Sequence, residues 1–202
     1  MEAVIKECKS MKSIILASQS PRRSQLLEQI NIPFTVQVSE VEEHIDSIEG
    51  TPEHKAQQLA LMKAKDVAST CKEGVIIGAD TIVVLDNMIM GKPSDENEAY
   101  LMLQRLNGRQ HRVITGLAVI DAATGLTQLD YEETFVSFKK VSDKAIKSYI
   151  STGEPFGKAG AYGIQGIGAV LVEKIDGCYS NVVGLPLSKL CSMLEEFNIF
   201  VL

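Results

Sequence analysis

The sequence predicts a mixed α/β fold in which several helices cross a long sheet. Short apolar or alternating runs recur along the chain, and the longest, residues 75–85, carries few polar side chains. Segments with apolar residues at helical spacing stand between these runs. No internal repeat, low-complexity tract or linker interrupts this order. A chain of 202 residues therefore fits one α/β domain over residues 11–202, with residues 1–10 as a flexible N-terminal extension.

Strands are predicted wherever apolar residues form a short run or alternate with polar ones. In chain order these segments are 14–17, 34–38, 75–85, 88–90, 113–120, 135–141 and 170–175. Asp86 and Asn87 favour a hairpin turn between the third and fourth strands. A Gly-rich loop, residues 157–168, precedes the last strand.

Helices are predicted where a capping residue or a proline precedes apolar residues on one face. The predicted starts are Ser20-Pro21, Thr51-Pro52, Ser94, Ser142 and Leu185-Pro186. The second helix places Lys63 along its apolar face, and the third ends at Asn107-Gly108.

Composition excludes several classes of protein. The net charge of -6 argues against a protein that binds duplex nucleic acid. Four cysteines without a CxxC pair, and only three histidines, argue against a zinc cluster and favour reduced thiols in the cytoplasm. No segment approaches the roughly 20 apolar residues of a membrane span, and the charged N-terminus does not resemble a signal peptide. We therefore expect a cytoplasmic protein without a membrane partner.

Asp80 is the first candidate for chemistry, because it interrupts the apolar run 75–85. Burying a carboxylate inside such a strand costs roughly several kcal/mol of folding free energy unless the carboxylate is paired or bound to a metal ion. One interpretation has Asp80 accepting hydrogen bonds from backbone amides at a strand end. The other makes it a general base or a metal ligand.

A cationic helix start is the second candidate. Arg22 and Arg23 lie in the first turn of the helix that opens at Ser20, where unpaired N–H groups attract phosphate. A capped helix with two solvated arginines explains the same residues equally well. Since arginine opposes the helix dipole at this end, an anionic ligand would supply the compensation.

Lys63, Lys92 and residues 158–168 complete the set of candidates. Lys63 could simply extend to solvent from an apolar helix face, and Lys92 could be a solvated loop residue between Gly91 and Pro93. Glycines in the segment 158–168 would let its backbone lie close to a ligand, with Tyr162 and Gln165 as the polar side chains that have reach. A flexible loop is the alternative. This segment is not a dinucleotide-binding fingerprint, since it does not follow a strand and open a helix.

Taken together, these segments resemble the Maf family of nucleotide pyrophosphatases from about residue 12 to residue 200. Single motifs are modest indicators, but their order along the chain is specific. The motifs that carry the resemblance are Leu16-Ala17-Ser18-Gln19-Ser20-Pro21-Arg22-Arg23, Glu40-Val41-Glu42-Glu43, Lys63-Ala64, Gly78-Ala79-Asp80-Thr81, Gly91-Lys92-Pro93, His111 with Thr115-Gly116, Glu154-Pro155, residues 158–168 and Val183-Gly184-Leu185-Pro186.

The resemblance implies an elongated mixed sheet flanked by helices, with two lobes and a central cleft, similar to inosine-triphosphate pyrophosphatases. It also implies roles for individual residues. Substrate binding falls to Ser18, Arg22, Arg23, Lys63 and Lys92, proton acceptance to Asp80, metal association to Glu43 and Asp80, and specificity to Arg22, Thr81 and Gln165.

The form of the segment around Gln165 resembles the family branch that acts on dTTP and UTP. A glutamine amide offers both a donor and an acceptor, which suits the O4 and N3–H edge of thymine or uracil. The resemblance thus implies a pyrophosphatase that uses a divalent cation, Mg²⁺ or Mn²⁺, to convert dTTP, UTP or modified pyrimidine nucleotides to the monophosphate and pyrophosphate. The alternative is a nucleotide-binding regulator of cell division with little turnover. A homodimer is left open.

Overall fold

The computed structural model describes residues 12–42 and 44–202, so the predicted extension over residues 1–10 lies outside the described residues. Within this range the chain forms one seven-stranded mixed sheet. The strands are β1 (Ile14–Leu16), β2 (Phe34–Val36), β3 (Val75–Leu85), β4 (Met88–Met90), β5 (Gln110–Asp121), β6 (Thr127–Phe138) and β7 (Val172–Asp176). Their order in the sheet is β2-β1-β3-β5-β6-β7, and β4 pairs with β3.

Helices flank this sheet, and most begin where the sequence predicts. They are α1 (Pro21–Gln29), α2 (Pro52–Thr70), α3 (Glu96–Leu106), α4 (Asp143–Ile150), α5 (Tyr179–Val183) and α6 (Leu187–Glu195). No helix in the described part of the chain is both long and apolar enough to cross a membrane.

β3 is the central strand, and this position explains its apolar sequence. It pairs in parallel with β1 and antiparallel with β5, which brings Asp80 opposite Gly116. Its residues are buried along almost the whole strand, because helices cover both faces of the sheet. The hairpin turn to β4 places Asp86 and Asn87 at positive φ, as the type I′ geometry requires.

Helix α2 lies unusually close to one face of β3 and β5, because two glycines make room for it. A Cβ on Gly78 would come within 2.3 Å of the Ala60 carbonyl oxygen, and one on Gly116 would come equally close to Ala56 backbone atoms. This close approach sets the height of the α2 side chains above the sheet, including Lys63.

The opposite face of β3 carries two separate apolar clusters. Val75, Ile77 and Ala79 pack with α1, α6 and the C-terminal residues, whereas Val83 and Leu85 pack with α3, α4 and the segment around Tyr162. Thr81 belongs to neither cluster. The fold therefore has two lobes separated at Thr81, which confirms the predicted mixed sheet with a central cleft.

The structure differs from the sequence-based prediction in a few local features. β5 extends beyond the predicted 113–120 at both ends, whereas β6 begins at Thr127 instead of 135 and ends at Phe138 instead of 141. The added polar residues belong to these strands because they join the antiparallel ladder. Asp95 rather than Ser94 caps α3: its side chain accepts from the Glu98 N–H. The short helix α5 was not predicted, because five residues give no readable helical period.

Candidate active site

The candidate site is a cavity of about 600 Å³ at a gap in the sheet edge. β1 pairs with β3 only as far as Ile77, and β4 begins to pair at Val83, so residues 78–82 have no strand neighbour on that edge within the described parts of the chain. Side chains from both faces of β3 reach this opening. β3 is therefore paired on this edge near its start and its end, but its middle, with Asp80 and Thr81, is open to a ligand.

The structure brings eight of the nine predicted site residues around this cavity. They are Ser18, Arg22, Arg23, Lys63, Asp80, Thr81, Lys92 and Gln165. The ninth, Glu43, lies outside the described residues.

Asp80 and Lys63 form a buried ion pair at the wall of the cavity. Lys63 Nζ lies 2.5 Å from Asp80 Oδ1, and each side chain is only 10% exposed. Neither the backbone-bonded carboxylate nor the solvent-extended lysine considered from sequence is what the structure contains. Asp80 Oδ2 takes no hydrogen bond from residues 12–42 or 44–202. One oxygen of the carboxylate is therefore oriented by Lys63, and the other is available to a ligand.

Arg22 and Lys158 bring positive charge to the same cavity. Burial lowers the pKa of the Arg22 guanidinium. Burial and, after it, the nearby charge of Arg22 lower the pKa of Lys158, although Glu154 acts in the opposite direction. In the described structure no carboxylate forms a salt bridge with Arg22. Two cations that repel each other at a cavity wall are an arrangement that an anionic ligand stabilises.

Arg23, in contrast, ties the cavity wall together. Its guanidinium donates to the Gly184 carbonyl at 2.8 Å, to Ser18 Oγ at 3.1 Å and to Thr81 Oγ1 at 3.1 Å. The Thr81 hydroxyl also lies 2.9 Å from Thr115 Oγ1. Arg23 therefore joins the loop between β1 and α1 to the middle of β3 and to the loop between α5 and α6. Ser20 makes no side-chain cap, and Ser20, Pro21 and Arg22 line the cavity, so the start of α1 borders it.

Tyr162 does not reach into the cavity with its hydroxyl, unlike the expectation for the Gly-rich segment. Its hydroxyl oxygen lies 2.9 Å from His111 Nε2, and both rings pack edge-to-face with Phe138. Burial lowers the pKa of His111 to about 4, so the ring is neutral near pH 7. This buried group anchors the start of the loop that carries Gln165.

Sequence reasoning missed two contributors to the cavity, Lys158 and Glu154. Both belong to motifs that the family resemblance includes, yet neither received a role. The position of Lys158 at the start of a Gly-rich segment could have indicated that it lines a ligand site. Glu154 had no local signal, because the N–H groups that its carboxylate binds lie more than ten residues further along the chain.

The described residues contain no group of three or more histidine, cysteine or acidic side chains that could hold a metal ion by themselves. Asp80 and Glu154 are the carboxylates that line the described cavity, and both oxygens of Glu154 accept hydrogen bonds from the protein. Asp80 Oδ2 remains as a donor atom to a metal. This arrangement fits Mg²⁺, which commonly uses one or two carboxylates together with substrate phosphates.

Comparison with known proteins identifies close relatives. One relative, from Ruminiclostridium cellulolyticum, is named dTTP/UTP pyrophosphatase. It is 52% identical to this chain in an alignment that covers 93% of this chain and 97% of the relative. Proteins with the same name from Clostridioides difficile and Bacillus cereus are 50% and 48% identical, over 92% and 98% of this chain and 95% and 96% of their own lengths.

Two solved structures are more distant. They are the Ham1 protein of Staphylococcus aureus and a HAM1 protein from Coxiella burnetii, each 17% identical over 63% of this chain and 72% or 73% of theirs, with TM-scores of 0.42 and 0.47. At these TM-scores neither structure informs the site. The family model described as Maf-like protein matches residues 13–197. Because this match and the close relatives span nearly the whole sequence, the chain belongs to the Maf-like protein family.

Proposed function

We propose that this chain is a nucleoside triphosphate pyrophosphatase that hydrolyses dTTP and UTP to the monophosphate and pyrophosphate. The observation that carries the proposal is the buried, Lys63-oriented Asp80 in the wall of a cavity lined by cations. The names of relatives at 48–52% identity support the substrate and the reaction.

The cations of the cavity hold the triphosphate in this proposal. A triphosphate repels an approaching nucleophile, so its charge must be compensated before water can attack the α-phosphorus. Arg22, Lys92 and Lys158 line the cavity together with Ser20 and Pro21 at the start of α1. Arginine offers paired N–H donors to phosphate, and lysine acts as a point charge. Ser18, tied to Arg23, completes the phosphate-binding loop.

Asp80 is the proton acceptor for the attacking water. Lys63 holds Oδ1, which leaves two lone pairs on Oδ2: one can accept a proton from a water in the cavity, and the other can contact a cation. The carboxylate stands on a central strand, and its contact with Lys63 restricts its rotation. A positioned general base of this kind contributes about 10²–10⁴-fold to the rate.

A divalent cation, Mg²⁺ or Mn²⁺, completes the proposed site. Asp80 and Glu43 are the carboxylates that we propose to hold it with the phosphate oxygens. When bound, such an ion neutralises phosphate charge and polarises the phosphoryl group.

Gln165 reads the base in this proposal, with Thr81 and Arg22 as the other specificity positions. All three line the cavity. Thr81 is held by Arg23 and Thr115, so its position is fixed before substrate binds. The amide of Gln165 can pair with the O4 and N3–H edge shared by thymine and uracil, which explains why both nucleotides would be substrates.

Location and partners of the protein form the last part of the proposed function. We assign the cytoplasm as its location, with nucleoside triphosphates rather than duplex nucleic acid or membranes as partners. The acidic net charge and the free thiols of Cys71, Cys178 and Cys191 support this assignment.

A substrate panel tests the proposed function. The purified chain is incubated with dTTP, UTP, dCTP, dGTP and dATP in Mg²⁺ or Mn²⁺, and pyrophosphate and monophosphate are quantified. We expect pyrophosphate and monophosphate in equal amounts, with the fastest release from dTTP and UTP. A chelator should abolish turnover, and added Mg²⁺ or Mn²⁺ should restore it. Release of inorganic phosphate in place of pyrophosphate, or tight dTTP binding without turnover, would contradict the proposal.

A further inference from the structure

The carboxylate of Glu154 holds the part of the Gly-rich segment 158–168 that follows Gln165. Its Oε2 accepts a hydrogen bond from the Ile167 N–H at 2.7 Å, and its Oε1 accepts from the Gly168 N–H at 2.9 Å. The Tyr149 hydroxyl donates to Oε1 at 3.0 Å. Three donors therefore converge on one carboxylate at the end of α4.

Tyr149 holds the part of the same loop that precedes Gln165. Its hydroxyl oxygen accepts a hydrogen bond from the Gly163 N–H at 3.1 Å while its proton goes to Glu154. Gln165 is thus flanked by anchored backbone N–H groups at Gly163 on one side and at Ile167 on the other. We call Glu154, Tyr149 and the three N–H groups that they bind the loop clamp.

The loop glycines are explained by this clamp. A Cβ on Gly166 would lie 2.3 Å from Glu154 Oε2, and one on Gly168 would lie 2.7 Å from the Tyr149 hydroxyl. A Cβ on Gly163 would meet Lys158 Cε at 2.8 Å. These glycines let the loop close onto Glu154, Tyr149 and Lys158.

The electrostatics of the pair are consistent with this arrangement. Burial opposes ionisation of Glu154, but the N–H groups of Gly168 and Ile167 and the Tyr149 hydroxyl outweigh it and leave the pKa of Glu154 below its usual range. Burial, with the neighbouring carboxylate, raises the pKa of Tyr149, so its hydroxyl stays a donor. The loop is therefore held by hydrogen bonds to an ionised group, which are stronger than neutral ones.

We propose that Glu154 is a positioning residue for base recognition: through the loop clamp it holds Gln165 at the cavity wall and so sets the preference for thymine and uracil. This inference rests on the proposed function, because it names the support of the residue that reads the base. Because both of its oxygens accept from loop N–H groups, we assign Glu154 a positioning role and not a contact with the reacting atoms. Its backbone carbonyl also accepts a hydrogen bond from Lys158 Nζ, a contact that side-chain substitutions leave in place.

Two nearly isosteric substitutions test the clamp. Glu154→Gln replaces the charged acceptor and turns an NH₂ group toward the loop N–H groups, and Tyr149→Phe removes the hydroxyl that bridges Glu154 and Gly163. Glu173→Gln is the matched control, since Glu173 is exposed on the neighbouring strand β7. Steady-state kinetics with dTTP and dCTP are measured for each, together with amide hydrogen exchange of residues 163–168 and thermal unfolding.

We expect faster exchange at Ile167 and Gly168 in Glu154→Gln and at Gly163 in Tyr149→Phe. In both variants KM for dTTP should rise by about tenfold, as for loss of one charge-assisted hydrogen bond, while kcat changes by less than about threefold. The ratio of kcat/KM for dTTP to that for dCTP should fall by a similar factor. Glu173→Gln should match the wild type in every measurement.

The outcomes separate the clamp from the proposed function. Faster exchange or a lower Tm with KM and the dTTP preference unchanged would reduce Glu154 to a stability role and overturn the inference. Unchanged exchange in Glu154→Gln would overturn the clamp itself. If the wild type released no pyrophosphate from any nucleotide, the proposed function would fail, while hydrogen exchange would still report on the clamp.

Discussion

Replacing Gly116 with alanine tests whether α2 must lie close to the sheet for Lys63 to reach Asp80. Gly116 stands opposite Asp80 in the β3–β5 ladder. A Cβ at this position would lie 2.3 Å from the backbone carbon and oxygen of Ala56 and 2.5 Å from the Gln57 nitrogen. All three are backbone atoms of α2, so no side chain can rotate to relieve the contact.

The helix must therefore move. Ordinary contacts begin at 3.4 Å, which requires α2 to shift by about 1 Å. Overpacking of this kind costs about 1–3 kcal/mol of unfolding free energy. The 2.5 Å contact between Lys63 Nζ and Asp80 Oδ1 would be lengthened or turned out of line. Displacing a catalytic group by about 1 Å can reduce a rate by about 10²-fold, so kcat should fall by roughly that factor.

Pyrophosphate release from dTTP and urea unfolding are the two assays. Gly125→Ala is the control, because φ at Gly125 is +76° and no atom lies within 4 Å of the added Cβ. Left-handed backbone strain should cost it about 1–2 kcal/mol without changing kcat. A folded Gly116→Ala protein with wild-type kcat would refute the view that α2 height aligns the site.

Three further predictions follow from individual side chains. Gln165→Glu should weaken the preference for dTTP over dGTP, because a carboxylate lacks the amide donor and suits the donor edge of guanine; a ratio equal to that of the wild type would remove Gln165 from base recognition. Arg22→Ala should raise KM for dTTP by about tenfold or more through loss of a charge-assisted phosphate contact, with little change in Tm, and a normal KM would argue against phosphate binding there. Burial holds the pKa of His111 at about 4, below its ordinary 6.5, so the folded state resists protonation. Stability from this group is complete above pH 6.5 and declines as the pH falls toward 4, by an amount on the order of 3 kcal/mol. His111→Gln should flatten this dependence in urea titrations across that range, and an unchanged slope would contradict the assignment.

Much of the fold was readable from sequence because local signals agreed with tertiary context. The run 75–85 is apolar because it forms the central strand, and Thr51-Pro52 begins α2 as the capping rules predict. The extent of β5 and β6 was harder to predict. Polar residues such as Gln110 and Gln128 join those strands because a neighbouring strand satisfies their backbone, and the chain carries no local trace of that pairing.

The site was predicted in part for the same reason. Asp80 stands out as a carboxylate in an apolar strand, and a family motif marks Lys63, Lys92 and Gln165. The contacts between residues could not be read, because they depend on distances across the fold. Lys63 reaches Asp80 from a helix, and Glu154 bonds to N–H groups more than ten residues away. Nothing in local spacing encodes such pairs.

The most direct test of the account is the turnover of Asp80→Asn. Asparagine keeps an oxygen that can accept from Lys63, so circular dichroism and the unfolding transition should show a folded protein. Without a carboxylate to take the proton from water, pyrophosphate release from dTTP in saturating Mg²⁺ should fall by about 10²–10⁴-fold. A folded variant whose kcat stays within about threefold of the wild type would contradict the assignment of Asp80 as the base, since that loss is far below what a general base contributes.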